Sequence, residues 1–318
     1  MSRNMLRKEK VLLIGGSGFI GAHLCRALAA SGKEVTVFSE HKDKIKKLGL
    51  DGSIKLIEGN IASYDTVEEN IRGQDWIVNL ASIVQPLGNF DPHIDLDVNC
   101  KGQLHILEAR RKINPASRYI FIGSRAQFGI VALKDLPIQE DYPQNPISLY
   151  GIHKQTAENY CRLYKRAFDL NSIIIRLPQV YGPNLTNTTT HSVIDDFIKI
   201  AMKNKQFRVN GYGKDIKDLI YIDDVVDLMK KVLDSDVKDG VFNAGSGKKV
   251  KLIDVAKKIL RSCGSGSFTL VPFPKDLEHF ELGSFYFDIA KVTKQFGWHP
   301  RVDVDTGIQS VIRHYQNS

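Results

Sequence analysis

The sequence predicts an α/β protein organised on a parallel sheet, and three observations carry that prediction. An apolar run, Val11 to Ile14, leads directly into Gly15, Gly18 and Gly21, after which an amphipathic helical pattern continues through Leu24 and Leu28. A second strand, Val35 to Phe38, follows the turn Ser31-Gly32-Lys33 and completes a βαβ unit within the first sixty residues. The segment Asp75 to Ala81 is nearly all apolar, as a parallel strand buried on both faces should be.

Each glycine of the first turn has a physical role. A side chain at Gly15 would block the turn, one at Gly18 would hold a pyrophosphate away from the backbone, and one at Gly21 would push the helix off the strand. Free amides and the positive end of the helix dipole then face the phosphates of a dinucleotide. The spacing is GxxGxxG. A carboxylate that holds the adenosine ribose is expected about 20 residues further on, where Glu40 stands. Ser39 occupies the last strand position, where an Asp would point to NAD, and Lys42 and Lys44 follow, so NAD is favoured and NADP stays open.

Length and composition bound the alternatives. The 318 residues, 42% of them hydrophobic, can bury a large core in two domains or one large one. No apolar run reaches the roughly 18 residues that cross a bilayer, and the basic start MSRNMLRKEK leads only into a strand-length run. A soluble, unprocessed, cytoplasmic protein is expected. The 4 cysteines are widely spaced without a CxxC, and the 9 histidines include no HExxH, so neither a disulfide frame nor a metal site is expected. The net charge of +8 comes from scattered residues with few interleaved aromatics, which argues against nucleic acid as a partner and suits a small anionic substrate.

Further along, Ile54 to Ile57 reads as a strand, with Asn60 and Ile61 just past its end, and Ala81-Ser82 closes the next strand on the side that would face a cofactor. Helical periodicity from about Asp97 through Ala109 carries Asn99 and Leu104 inward. The strand Arg118 to Ile122 ends in Gly123-Ser124, and ligands of open parallel sheets sit outside the carboxyl ends of strands. Ser124 is therefore either a turn cap or a site residue. Residues 130–148 form a proline-rich loop. Tyr150-Gly-Ile-His-Lys154 then opens a helix, and its spacing of four sets Tyr150 and Lys154 on one face, one turn apart. A phenol is a poor base at neutral pH, but an ammonium group beside it stabilises the phenolate and makes tyrosine a usable general base. The strand Ser172 to Leu177 and a helix from Val193 to Met202 follow. Next, the segment Leu219 to Ile222 returns to the sheet, with Asp223-Asp224 capping a helix to Leu233. Gly245-Ser-Gly-Lys-Lys249 is not a phosphate loop, because Phe242 stands where the first glycine is required and Lys249 where Ser or Thr is.

Five blocks in order, GGSGFIG from Gly15, GSRAQFG ending at Gly129, YGIHK from Tyr150, RLPQVYGP from Arg176 and GYGKDIKDLIYIDDVV ending at Val226, resemble the extended short-chain dehydrogenases/reductases. The branch they are most similar to is the NAD-dependent nucleoside-diphosphate-sugar epimerase/dehydratase family. The resemblance implies a Rossmann-type doubly wound parallel sheet with a smaller α+β substrate domain. Residues 1–182, with about 214–247 returning, would bind the dinucleotide, and about 183–213 and 248–318 the substrate.

Carried over residue by residue, the resemblance makes Ser124, Tyr150 and Lys154 catalytic. It sets Gly15, Gly18, Phe19, Ile20, Gly21, Glu40, Asn60, Ile61, Ala81 and Asn99, with Tyr150 and Lys154, around NAD. Ser82, Arg125, Gln179, Arg208 and Lys217 are the expected substrate contacts. Two positions depart from the family pattern. The segment before Asp288 lacks the arginine that grips the diphosphate in many relatives, leaving Lys217 or Arg208 to do so, and Arg125 beside the serine either meets an anionic substrate group or makes a structural salt bridge.

The implied activity is epimerisation of a nucleotide sugar, at C4, through a transient 4-keto sugar and bound NAD(H). The alternatives are an NAD(P)H-dependent 4-keto reductase, a 4,6-dehydratase, and a non-catalytic dinucleotide-binding protein. Dehydratase relatives carry Asp and Glu directly after the Ser/Thr, where this chain has Arg125 and Ala126. A homodimer through the helical segments 97–109 and 156–168 is also implied.

Overall fold

Strands and helices follow one another along the chain, and a computed structural model describes them over residues 7–46, 48–50, 52–84, 91–186, 192–275 and 278–317. In chain order the first half contains β1 (Lys10–Ile14), α1 (Phe19–Ala29), β2 (Glu34–Ser39), α2 (Lys42–Lys46), β3 (Lys55–Glu58), α3 (Tyr64–Ile71), β4 (Trp76–Asn79), α4 (Pro92–Leu96), α5 (Gly102–Ile113), β5 (Arg118–Ser124) and α6 (Leu149–Phe168). The second half adds β6 (Ile173–Leu177), β7 (Gln179–Tyr181), α7 (Val193–Met202), β8 (Gln206–Val209), β9 (Ile216–Lys217), β10 (Leu219–Tyr221) and α8 (Ile222–Leu233). It closes with β11 (Gly240–Asn243), β12 (Val250–Lys251), α9 (Leu252–Cys263), β13 (Ser267–Leu270), α10 (Ala290–Phe296) and α11 (Val304–Gln316).

Seven strands form one parallel sheet in the order β11-β6-β5-β4-β1-β2-β3. Its residues alternate between two buried faces. Val11 and Leu13 of β1 pack with Leu24, Cys25 and Leu28 of α1, whereas Leu12 and Ile14 pack with Ile106, Leu107 and Ala157 of α5 and α6. Strand order reverses between β1 and β4, which opens the crevice where ligands of such sheets bind.

Three expectations need correction. Leu219 to Ile222 does not rejoin the main sheet, because β10 pairs with β7 in a separate two-stranded ribbon. Asp223 and Asp224 lie in the first turn of α8 and do not cap it. Tyr221 holds the cap position, and the Asp224 carboxylate instead accepts from the amides of Arg301 (2.8 Å) and Val302 (3.1 Å). The helix expected from Asp97 starts earlier, at Pro92, because Asp91 caps it by accepting from the amides of His93 and Ile94. A π-helical segment, Asp97–Lys101, then joins α4 to α5 and carries the buried Asn99. Among the described residues no helix is long and apolar enough to cross a membrane.

One buried carboxylate ties the catalytic end of the sheet together. Glu158 of α6 accepts from Arg176 of β6 at Nε (2.9 Å) and Nη2 (2.5 Å), from Gln127 Nε2 (2.8 Å) and from Gln144 Nε2 (3.1 Å). Burial alone would raise its pKa, but the Arg176 guanidinium, with Arg162 and Gln127, overrides burial and holds it at about 2, below the ordinary 4.5. A depressed carboxylate stabilises the fold above its unfolded pKa and loses that contribution as pH falls through the folded one. Glu158 therefore contributes on the order of 3 kcal/mol at neutral pH, lost between about pH 4.5 and 2. Denaturant unfolding of wild type should weaken across that window, and Glu158→Gln should be less stable at pH 7 and show a flatter slope below pH 4.5. Parallel curves for the two proteins would contradict the assignment.

Candidate functional site

The turn after β1 is closed by the Gly18 amide donating to the Gly15 carbonyl at 3.0 Å, while the Gly15 amide donates to Phe38 O at 2.8 Å. Gly15 has φ +77, and a Cβ there would lie 2.6 Å from the Ala81 backbone, so strands β1 and β4 can approach only around a glycine. Beside this turn is a cavity of about 330 Å³ lined by Gly15, Ser17 and Gly18, by Ser39, Glu40, His41 and Lys44 past β2, and by Ile61, Ala81 and Ser82. Such a slot, glycine backbone at one end and an exposed carboxylate at the other, fits a dinucleotide. Phe19, Ile20 and Gly21 begin α1 directly behind it, and Asn60 is exposed at the end of β3, its Oδ1 accepting from the Ala62 amide at 2.6 Å. Ser39 Oγ lies 2.5 Å from Ser17 Oγ, so the last residue of β2 braces the glycine turn.

The second part of the site is built at the end of β5. Ser124 caps a short 3-10 turn, Arg125–Phe128, through a capping box: its Oγ accepts from the Ala126 amide at 3.2 Å and its own amide donates to Gln127 Oε1 at 2.7 Å. Gln127 in turn donates to Glu158, so the serine is held by the same carboxylate that anchors Arg176. Ser148 caps α6 by accepting from the Gly151 amide at 3.1 Å. At Gly151 a Cβ would lie 2.4 Å from Ala126 O, so glycine is what lets α6 meet the serine turn and bring Tyr150 to Ser124.

The structure thus brings Ser124, Tyr150 and Lys154 together. The hydroxyls of Ser124 and Ser82 both stand near enough to the Tyr150 phenol to favour its phenolate. Lys154 is 3% exposed and donates to Ile122 O at 2.9 Å, with Nζ 5.8 Å from the centre of the Tyr150 ring. The electrostatics differ from the simple expectation. Burial pushes the Tyr150 phenol above its ordinary value, the two serine hydroxyls pull it back, and the Asp95 carboxylate pushes it up. Burial likewise pushes Lys154 down to about 8, opposed by Asp95 and Cys100.

Asp95 and His153 were not singled out by the sequence, although Asp95 precedes Asn99 by four and His153 follows Tyr150 by three, spacings that share a helix face. Buried Asp95 accepts from Asn99 Nδ2 at 2.6 Å and meets His153 Nδ1 at 2.6 Å. Asn99 Oδ1 accepts from Ser82 Oγ at 3.0 Å and from the Ile83 amide at 3.1 Å. A hydrogen-bonded chain of side chains therefore runs from His153 through Asp95 and Asn99 to Ser82, beside the phenol.

On the other side of the site, Lys217 pairs with Glu281 at 3.1 Å and Asp215 at 3.8 Å. Gln179 donates to Ser192 Oγ at 3.1 Å. Arg125 Nη2 donates to Leu282 O at 3.1 Å and its guanidinium lies over the Phe285 ring. Arg208 is exposed on β8, and no hydrogen bond or ion pair among the described residues joins it to these groups.

A family model described as the NAD dependent epimerase/dehydratase family matches residues 11–245. A Methanocaldococcus jannaschii protein assigned as a UDP-glucose 4-epimerase is 27% identical over 97% of this chain and 99% of its own length. The CDP-paratose 2-epimerase of Salmonella typhi is 25% identical over 95% of this chain and 98% of its own. The crystal structure of UDP-glucose 4-epimerase from Thermotoga maritima superposes with a TM-score of 0.86 at 23% identity, covering 97% of this chain and 99% of that one, which shows the shared fold. The match spans the glycine turn, the serine turn and the Tyr150 helix within one stretch, and the chain belongs to the NAD-dependent epimerase/dehydratase family.

Proposed function

We propose that the protein is a nucleotide-sugar epimerase that inverts C4 of the sugar through a transient 4-keto sugar. The observation that carries this reading is the convergence of Ser124, Tyr150 and Lys154 at the carboxyl end of β5, next to the glycine-lined cavity. Gly15, Gly18, Glu40, Ile61 and Ala81 would hold NAD, with Lys154 at the nicotinamide ribose. Bound there, NAD supplies a hydride acceptor, a hydride donor for the return step and a fixed positive charge.

The chain's own residues handle the proton. Tyr150 takes it from the C4 hydroxyl as the carbinol carbon is oxidised, and gives it back when the ketone is reduced on its other face. Ser124 hydrogen-bonds the same oxygen and steadies its changing charge. Ser82, fixed by Asn99, would favour the phenolate of Tyr150. The buried ammonium of Lys154 favours the phenolate against the burial that disfavours it. Gln179 and Lys217 would hold the nucleotide side of the substrate. Arg125 and Ala126 stand where a dehydratase needs a further acid and base, which supports epimerisation over loss of water.

A second reading, NADPH-dependent reduction of a 4-keto sugar, is favoured by one observation. His41 and Lys44 line the cavity beside Glu40, where a 2′-phosphate would sit. A homodimer is supported by the exposure of Ile94 and Leu96 on α4 and of Ile152, Leu163 and Phe168 on α6, a set of apolar side chains left uncovered in the monomer.

The test is proton NMR of the purified protein with UDP-, dTDP-, CDP- and GDP-sugars, with and without added NAD or NADPH. Interconversion of two C4 epimers without net coenzyme consumption is expected, and Tyr150→Phe should lower that rate by at least ~10³-fold while retaining cofactor. A keto-deoxy product, or reduction that consumes NADPH, would replace the epimerase reading. Lys154→Met should move the acidic limb of the kcat/KM profile to higher pH, because the phenolate loses its cation. An unmoved limb would remove the electrostatic role of Lys154.

A further inference from the structure

Arg125 follows Ser124 directly, so its backbone is fixed by the same capping box that fixes the serine. Its guanidinium carbon is 4.7 Å from the centre of the Phe285 ring, and Phe285 is itself locked in a buried aromatic cluster with Phe128 and Phe287. The expected structural salt bridge is not what this platform serves. The nearest carboxylates are engaged elsewhere: Glu281 and Asp215 with Lys217, and Asp218 with the Ser246 hydroxyl (2.6 Å) and the Phe287 amide (3.1 Å). They act on Arg125 only from a longer range.

Among the described residues the guanidinium donates one hydrogen bond, to Leu282 O, and its Nε is shielded from solvent with no partner. Burial pushes Arg125 down to about 10, which leaves it cationic at neutral pH. A solvent-shielded guanidinium N–H without a partner is costly, and an anionic acceptor would complete it. Nε and Nη2 share one edge of the planar fork, the edge from which a guanidinium donates to both oxygens of a carboxylate.

We infer that Arg125 reads an anionic substituent on the sugar ring beside the reacting carbon, so that the substrates are nucleotide-linked hexuronates carrying a carboxylate at C5. This rests on the assignment of Ser124 to the C4 oxygen. C5 is bonded to C4, so a side chain one residue from Ser124 and lying on the aromatic wall is placed for the C5 substituent. The diphosphate leaves from C1, across the ring. A neutral C6 hydroxyl could accept from Nε but would leave the charge uncompensated.

The experiment compares UDP-glucuronate with UDP-glucose on the full-length protein with NAD, measuring both affinity by calorimetry and turnover by NMR. Wild type should prefer the acidic sugar, and in Arg125→Met the ratio of kcat/KM for UDP-glucuronate over UDP-glucose should fall on the order of 10²-fold, with the affinity ratio falling in step. Arg125→Lys, which keeps the charge but not the fork, should retain part of the preference. The wild-type comparison stands even if Arg125→Met fails to fold. Equal handling of the two sugars by wild type, or equal losses on both in the variant, would overturn the inference while leaving the epimerase reading intact. An Arg125-dependent preference in binding without any interconversion would uphold the inference and sink the epimerase reading. Failure to bind either sugar nucleotide would overturn both.

Discussion

The geometry of the candidate site depends on the buried ion pair between Glu158 and Arg176. Three elements that share no sequence neighbourhood meet at this carboxylate: α6 supplies Glu158, β6 supplies Arg176, and the turn after β5 reaches it through Gln127. Buried ion pairs are weak contributors to net stability, yet breaking one by removing a partner is expensive. Their use here is positional. Because Gln127 spans from Glu158 to the Ser124 amide, the serine cannot shift without disturbing the pair, and Tyr150 stands two helical turns before Glu158 on the same helix.

With those positions fixed, the charge arrangement is poised and incomplete. Burial works against both charged forms the chemistry needs, the phenolate of Tyr150 and the ammonium of Lys154. Asp95 helps the lysine and hinders the tyrosine, and His153 meets the same carboxylate from behind. Arg125 adds a guanidinium whose Nε has no partner among the described residues. Each imbalance is of the kind that bound groups resolve: the positive charge of an oxidised cofactor for the phenolate, an anion for the guanidinium.

Much of this was legible in the sequence for a physical reason. The glycine turn, the apolar β4 and the Tyr150–Lys154 spacing are local signals, set by backbone sterics and helix periodicity, and they appear where expected. The seven-stranded parallel sheet follows from repeated strand–helix alternation. What could not be read depends on contacts distant in the chain. Asp224 looks like a helix cap until Arg301 and Val302 arrive to take its carboxylate. Lys217 looks like a free phosphate ligand until Glu281, 64 positions later, pairs with it. Glu158 and Gln127 look like ordinary polar residues because their partners, Arg176 and the Ser124 amide, are assembled only by the fold. Leu219 to Tyr221 has the composition of a sheet strand, and only pairing with β7 removes it from the main sheet.

The central claim is that one carbon of a nucleotide sugar is oxidised and reduced again in place, with Tyr150 moving the proton. The most direct measurement follows deuterium at C4 of UDP-glucuronate and UDP-glucose through the reaction in ordinary water. The account predicts a product of inverted C4 configuration that retains its deuterium, because the hydride leaves and returns without meeting solvent. Loss of the label with inversion, or a product whose C4 configuration is unchanged, would contradict it.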